Sequence, residues 1–425
     1  MASTSENSAR PTRRNWLRSD DLRRFLLSVG PTGASAFSQL VIFALTARAL
    51  GPDQFGLLAV VYGFCVIATE ITALGADSAM VRRVALDPGA FPVAWSNTLA
   101  MFLISYPPLV LAATLAAGWF AAEAFTWPVI AILVLGELLV GRAISATELA
   151  MIAHSHPVRA SWVRLSANLA RVAMAGVVFA LFGVHDIGIW AGATLGQSLV
   201  CAVALLLLTQ HLYGASRPRV LKSDVGFGLL LMLNHLSRSL TSNLDRIVLA
   251  PFLTPAALGI YASGTRPQLV NGILNQAATR LFYVRFFRAG ATSREQLRAF
   301  TRATAAKMIL IGILSGIIIA VIGQLLPFVL GEGYRDAAAI AAALALASPF
   351  ISLQTPPADA LTASDKQFTR TVIYFAVALA SAGLLTIGAI VAGIWGAVVA
   401  VILAQALLAG VLWAVFLLDG RRAPR

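Results

Sequence analysis

The chain has 425 residues, 58% of them hydrophobic and only 12% charged, with a net charge of +13. So low a charged fraction excludes an ordinary water-soluble domain, and apolar stretches long enough to cross a ~30 Å hydrocarbon core leave no room for a separate soluble one. The basic residues lie between those stretches instead of forming one patch with aromatics, so they report membrane topology and not nucleic-acid binding.

The arm 1–24 is polar and basic, and the apolar run after it is far longer than a signal-peptide core, which marks a retained first helix. Unsatisfied backbone groups are costly in lipid, so spans must be helices or a closed barrel; these runs do not alternate and predict helices. In chain order the expected spans are 25–49, 55–76, 92–118, 127–150, 160–182, 187–211, 226–250, 256–282, 302–327, 337–361, 369–391 and 394–418. The fold class is therefore an all-α polytopic membrane protein of about twelve transmembrane helices. Pro52, Pro255 and Pro327 fall at turns, while Gly30-Pro31, Pro107-Pro108 and Pro356-Pro357 are expected to bend helices from within.

Lys and Arg crowd alternate connections, among them Arg82, Arg83, Arg159, Arg217, Arg219, Lys222 and the Arg421-Arg422 tail, whereas the other side is assigned Arg48, Arg246 and Arg335. The positive-inside rule then places both termini in the cytoplasm. The basic stretch 284–302, with Arg285, Arg288, Arg294, Arg298 and Arg302, is expected to lie along the lipid surface or simply to set topology. The external connections are short, so function must lie within the membrane.

The chain contains itself twice. Leu50-Gly51-Pro52 with Phe55-Gly56 recurs as Leu253-Thr254-Pro255 with Leu258-Gly259, and Gly188-Ile189-Trp190 recurs as Gly393-Ile394-Trp395, both at an offset of about 204 residues. Six helices return the chain to its starting side, so the halves are parallel repeats about an axis along the membrane normal, with a substrate path between them. The expected organisation is an arm 1–24, a six-helix bundle 25–211, a linker 212–225, a second bundle 226–418 and a tail 419–425.

No G-x-x-x-x-G-K-S/T, H-E-x-x-H or G-x-S-x-G motif occurs, the five histidines are scattered, and Cys65 and Cys201 have no metal, haem or redox spacing. No enzyme, metal or cofactor is indicated. Polar residues inside the spans are more informative, because a charge there must face a cavity or a partner. Asn234, Arg238, Thr241 and Asp245 form one stripe on the seventh helix; Gln268, Asn271, Asn275 and Thr279 form another on the eighth, preceded by Arg266. The first helix aligns Ser28, Thr32, Ser35, Gln39 and Thr46; the fifth aligns Arg164, Asn168 and Arg171; the fourth holds Glu137 and Glu148 with Arg142 between, and Glu70 stands alone in the second.

For each such residue a structural role, such as Arg142 paired with a glutamate, weighs evenly against a functional one, and Arg164 and Arg280 read as snorkelling. Together the stripes point to a hydrated cavity, since a bundle needing only stability would use small residues, as in Gly192-x-x-x-Gly196 and Gly312-x-x-x-Gly316. Arginines there suit a phosphate or pyrophosphate, and amides suit sugars. Arg238, Arg266 and Arg171 are the expected pyrophosphate ligands, and Gln39, Asn234, Asn271 and Asn275 the sugar ligands. Glu70, Glu137 or Asp245 is a candidate for ion coupling, though Asp245 is equally placed to pair with Arg246.

Ala47-Arg48-Ala49-Leu50-Gly51-Pro52 with Phe55-Gly56-Leu57, Leu74-Gly75-Ala76, Val81-Arg82-Arg83, Asp245-Arg246, Leu258-Gly259-Ile260-Tyr261, and Leu330-Gly331 with Tyr334 resemble the oligosaccharide flippases of bacterial surface polysaccharide pathways. The superfamily also holds multidrug and toxin extruders and peptidoglycan-precursor flippases. The resemblance implies a V-shaped pair of six-helix bundles in the bacterial cytoplasmic membrane, alternating access between them, and a polyprenyl-pyrophosphate-linked oligosaccharide as cargo. Membrane lipids and polysaccharide polymerase or assembly proteins are the implied partners. Three other readings stay open on the sequence: a drug or cation extruder, an integral-membrane glycosyltransferase or polymerase, and a non-transporting scaffold.

Overall fold

The computed structural model describes residues 19–122, 125–183, 186–217 and 225–419. The arm to residue 18, linker residues 218–224, the tail beyond 419 and the side chains of Ser28 and Arg280 lie outside the described residues. Helix α1 (Ser19–Ile71) holds two spans parted at Gly51, whose φ of 72° suits the one residue type without a Cβ. The second span runs on through a left-handed break, Ala73, Leu74 and Gly75 at φ 60°, 50° and 73°, into α2 (Ala76–Leu86). Helices α3 (Phe91–Ala121), α4 (Trp127–Ala153), α5 (Pro157–Ala175) and α6 (Ile187–Tyr213) complete six spans.

The second six are α7 (Val225–Leu249); α8 (Pro255–Thr265) with α9 (Leu269–Thr292); α10 (Arg294–Gly323); α12 (Arg335–Leu344) with α13 (Ser348–Ala363), reached through the short α11 (Leu326–Leu330); and the two arms of α14 (Gln367–Asp419), parted at Ala392 and Gly393. No strand occurs among the described residues. Ten of these spans lie in stretches apolar enough to cross a membrane by composition; α7 and α8–α9 do not, because they carry the polar stripes.

Within the first half α4 packs on α6 and α1 on α5; within the second, α10 packs on α13 and α14 on α7. The halves meet along α1 with α8 and α7. On the side away from the chain ends the seam is tight. Pro52 opens the second span and Pro255 the eighth, where Thr254 caps α8 by accepting from the Ala257 N–H. Gly56 and Gly259 let those two turns come together, since a Cβ on either would strike the other half's proline carbonyl. Tyr334, fully buried, adds a hydrogen bond of 2.8 Å to the Ala47 carbonyl across the same seam.

The left-handed break in the second span is held from outside. The Ser105 hydroxyl of α3 accepts from the Ala73 N–H at 2.9 Å, and Gly75 lies against the Gly228 backbone of α7. Left-handed non-glycine residues cost about 1–2 kcal/mol each, so these contacts offset a real local penalty.

The interior prolines 31, 107–108 and 356–357 lie within continuous helices, and the non-helical breaks are at 51, 73–74 and 392–393. Segment 284–302 is shared between two helices: α9 runs to Thr292 and α10 begins at Arg294 after capping by Ser293. Gly312 and Gly316 do bring α10 onto α13, but Gly192 and Gly196 meet nothing, because that face of α6 is turned outward.

Candidate functional site

Between the halves lies a cavity of about 1220 Å³. The Pro52–Pro255 seam closes it on one side; towards the chain ends it reaches the 364–366 turn, where Thr362, Gln367 and Arg370 line its mouth. All ten residues singled out by sequence line it: Gln39, Glu70, Glu137, Arg171, Asn234, Arg238, Asp245, Arg266, Asn271 and Asn275. Helical spacing of three and four does this, since it keeps each stripe on one face.

Their surroundings differ. Arg171 of α5 grips Glu137 of α4 with both terminal nitrogens, one at 3.0 Å, and reaches the Tyr62 hydroxyl at 3.3 Å. That hydroxyl also accepts from the Trp190 indole at 3.1 Å, and Trp190 is fully buried against Phe179. The guanidinium and carboxylate of this pair are thus mutually compensated and anchored to four helices. Nearby Asn168 donates to the Ser35 hydroxyl at 2.7 Å, tying α5 to α1.

In the second half Asn271, 1% exposed, is a bracing hub: its side-chain oxygen accepts from Asn275, Ser315 and Ser352 at 2.9, 2.9 and 3.1 Å. Asn275 keeps a buried side-chain oxygen without a donor, and Asn234 donates to Thr371 at 3.3 Å. Asp245 accepts from the fully buried Tyr261 hydroxyl at 2.8 Å, and its second oxygen has no partner. That bond, and not a pairing with Arg246, is what holds Asp245.

Arg238, Arg246 and Arg266 form no ion pair with a carboxylate among the described residues. Arg266 lies over the Phe43 ring at 5.1 Å, feels the Arg246 charge, and shares with Arg246 a buried Nε lacking an acceptor. Two guanidinium groups without an ion pair among the described residues thus line one partly enclosed space, and guanidinium geometry matches phosphate oxygens. Arg238 stands nearer the mouth, within the field of Asp359, which itself faces Arg370 at 3.8 Å.

Arg246 is therefore not an external-loop charge: it sits three residues before the end of α7 and lines the cavity. Arg142 pairs with Asp77 of α2, not with a glutamate, because the break in the second span turns Asp77 towards α4. Arg164 does not simply snorkel but binds both oxygens of Glu148. Tyr62, Asp359, Arg370, Gln354 and Gln405 also line the cavity and were missed. The spacing of Asp359 and Arg370, three residues or more outside the 364–366 turn on either side, was the available signal for a pair that folding back creates.

The fold is shared with transporters of known structure. A multidrug resistance MATE family transporter of the MOP superfamily, inward-facing, gives a TM-score of 0.73 at 13% identity, covering 90% of this chain and 94% of that one. An outward-facing transporter of the same description gives 0.66 at 13%, covering 94% and 96%. A MOP superfamily transporter from Pyrococcus furiosus, described as having a binding pocket of reverse polarity, gives 0.63 at 13%, covering 94% of each chain. Among curated proteins none matches. The model of a family described as polysaccharide biosynthesis protein matches residues 24–289, from the start of the first span to the last turns of α9. That match takes in more than half of the sequence, and the chain belongs to the polysaccharide biosynthesis protein family.

Proposed function

We propose that the protein is a secondary flippase that moves a polyprenyl-pyrophosphate-linked oligosaccharide across the cytoplasmic membrane by alternating access. The observation that carries this reading is a set of three arginines without an ion pair among the described residues, Arg238, Arg246 and Arg266, in a cavity whose lining also holds amides, hydroxyls, apolar side chains and the carboxylates of Glu70, Glu137, Asp245 and Asp359. Arg246 and Arg266 hold the pyrophosphate by bidentate hydrogen bonds, Arg238 receives it nearer the mouth, and Gln39, Asn234 and Asn275 meet sugar hydroxyls. Arg171 is compensated by Glu137 and serves the cargo only when that pair opens.

Residues 25–211 and 226–418 act as the two rocking bodies. The distribution of Lys and Arg puts both termini in the cytoplasm, so the cavity as described opens to that side. Glu70 or Asp245 couples the cycle to an ion gradient, and polymerase or assembly proteins take the product. Family membership supports the polysaccharide cargo; against a cation extruder stands that two of the four cavity carboxylates, Glu137 and Asp359, already face Arg171 and Arg370.

The test is mass spectrometry of polyprenyl-pyrophosphate sugars in cells depleted of the protein and complemented with wild type or Arg266→Ala. A complete lipid-linked oligosaccharide should accumulate and be cleared by wild type alone. No accumulation, together with new sensitivity to cationic dyes, would replace the flippase by an extruder.

A further inference from the structure

The ion pair at the cavity mouth is built unlike those of the first half. Arg164 and Arg171 each grip both oxygens of a glutamate. Asp359, near the end of α13, stands 3.8 Å from Arg370 of α14, close to the limit of an ion pair. Each partner keeps a spare group, since the Asp359 Oδ2 has no donor and the Arg370 Nε no acceptor. Asp359 is only 4% exposed. A buried charge left half-satisfied costs stability, so this looseness calls for a functional reason.

The neighbours of Asp359 supply one. Two guanidinium groups from different helices share its single carboxylate: Arg370, and Arg238 of α7, which is exposed in the cavity and whose charge Asp359 feels. Arg370 is held in place by other contacts. Its Nη1 donates to the Thr362 hydroxyl at 2.8 Å, and its guanidinium lies over the Tyr374 ring at 5.8 Å. Asn234, one turn before Arg238, donates to Thr371, next to Arg370, at 3.3 Å and ties α7 to α14 at this level. Both arginines therefore keep their places when the carboxylate lets go of them.

We propose that Asp359 is a built-in competitor of the cargo, compensating Arg238 and Arg370 while the mouth is empty and yielding both to the pyrophosphate as it enters. This rests on the flippase reading above and adds Arg370 to the residues that meet the anion. Asp359 is a positioning residue: it acts through the two arginines and makes no contact with the cargo. Once the pyrophosphate has passed inward to Arg246 and Arg266, Asp359 reclaims its arginines, which favours onward movement over return to the mouth.

The test is equilibrium binding of polyprenyl pyrophosphate to the full-length protein in detergent, at fixed pH and ionic strength. Asp359→Asn, of the same shape but uncharged, should bind about fivefold more tightly, the worth of one partly screened charge. Asp359→Glu adds one methylene, enough to close the 3.8 Å gap, and should bind about fivefold more weakly. Because it keeps the charge, it holds the test should Asp359→Asn fail to fold. A residue that merely braces α13 would give weaker binding in both variants. Binding no tighter in folded Asp359→Asn, or no weaker in Asp359→Glu, would overturn the assignment and leave the flippase reading in place. A wild type that binds no polyprenyl pyrophosphate would instead remove that reading and this inference together.

Discussion

Gly56 and Gly259, which occupy equivalent places in the two halves of the sequence, lie against each other's partner proline: Gly56 on the Pro255 carbonyl and Gly259 on the Pro52 carbonyl. A contact that repeats itself with the halves exchanged places the pseudo-twofold axis between these turns. It also makes them the point where the two halves close on each other.

Gly56→Leu or Gly259→Leu should therefore pry this seam apart without touching the cavity. Overpacking costs about 1–3 kcal/mol, enough to shift a two-state equilibrium about 5- to 150-fold. Labelling of a cysteine at Phe55 by an impermeant thiol reagent should rise accordingly in either variant. Because both substitutions strike the same seam, the double variant should show less than the sum of the two.

Arg266→Ala and Arg246→Ala each remove, from the proposed anion seat, a charge without an ion pair among the described residues. Charge-assisted hydrogen bonds contribute about 1.5–3 kcal/mol, so affinity for a polyprenyl pyrophosphate in detergent should fall about 10- to 150-fold. Thermal stability should hold or rise, since the change relieves like-charge repulsion. Unchanged binding in both variants would remove these residues from the site.

Asp77→Ala should act in the opposite way. Its partner Arg142 is buried in the first half, and an ion pair broken from one side costs about 3–5 kcal/mol. The melting temperature in detergent should drop sharply for Asp77→Ala and recover in Asp77→Ala combined with Arg142→Met, which removes the stranded charge.

Glu137 and Glu70 separate in the same manner. Glu137→Gln strands Arg171 among Tyr62 and Trp190 and should destabilise by a similar amount. Glu70→Gln disrupts no ion pair among the described residues and should leave the melting temperature in place. If Glu70 couples transport, flipping in proteoliposomes should lose its dependence on an imposed ion gradient in this variant alone.

The spans and the stripes were legible because each depends on local chemistry: apolar length sets a span, and polar residues three or four apart share a face. What the sequence hid depends on how the chain folds back. Arg246 looked external because it precedes a turn, yet its side chain points along α7 into the cavity. The Asp77–Arg142 pair follows from three left-handed residues that only Gly75 foreshadows. Asn271 read as a cargo ligand by its stripe, whereas its amide oxygen is taken up by three neighbours that no spacing along α9 reveals.

The second span touches the other half at both of its ends, through Gly56 on Pro255 near one membrane face and through Gly75 on Gly228 and Arg82 on Phe227 near the other. A straight helix so clamped would be a rigid strut, and rocking of either half would have to tear one clamp loose. The left-handed residues 73–75 turn the strut into two rods with an elbow. Rotation can then be absorbed at a few torsion angles while each rod keeps its grip. In the proposed cycle the stiffness of that elbow, set by residues that line no part of the cavity, would govern how freely the halves exchange one opening for the other.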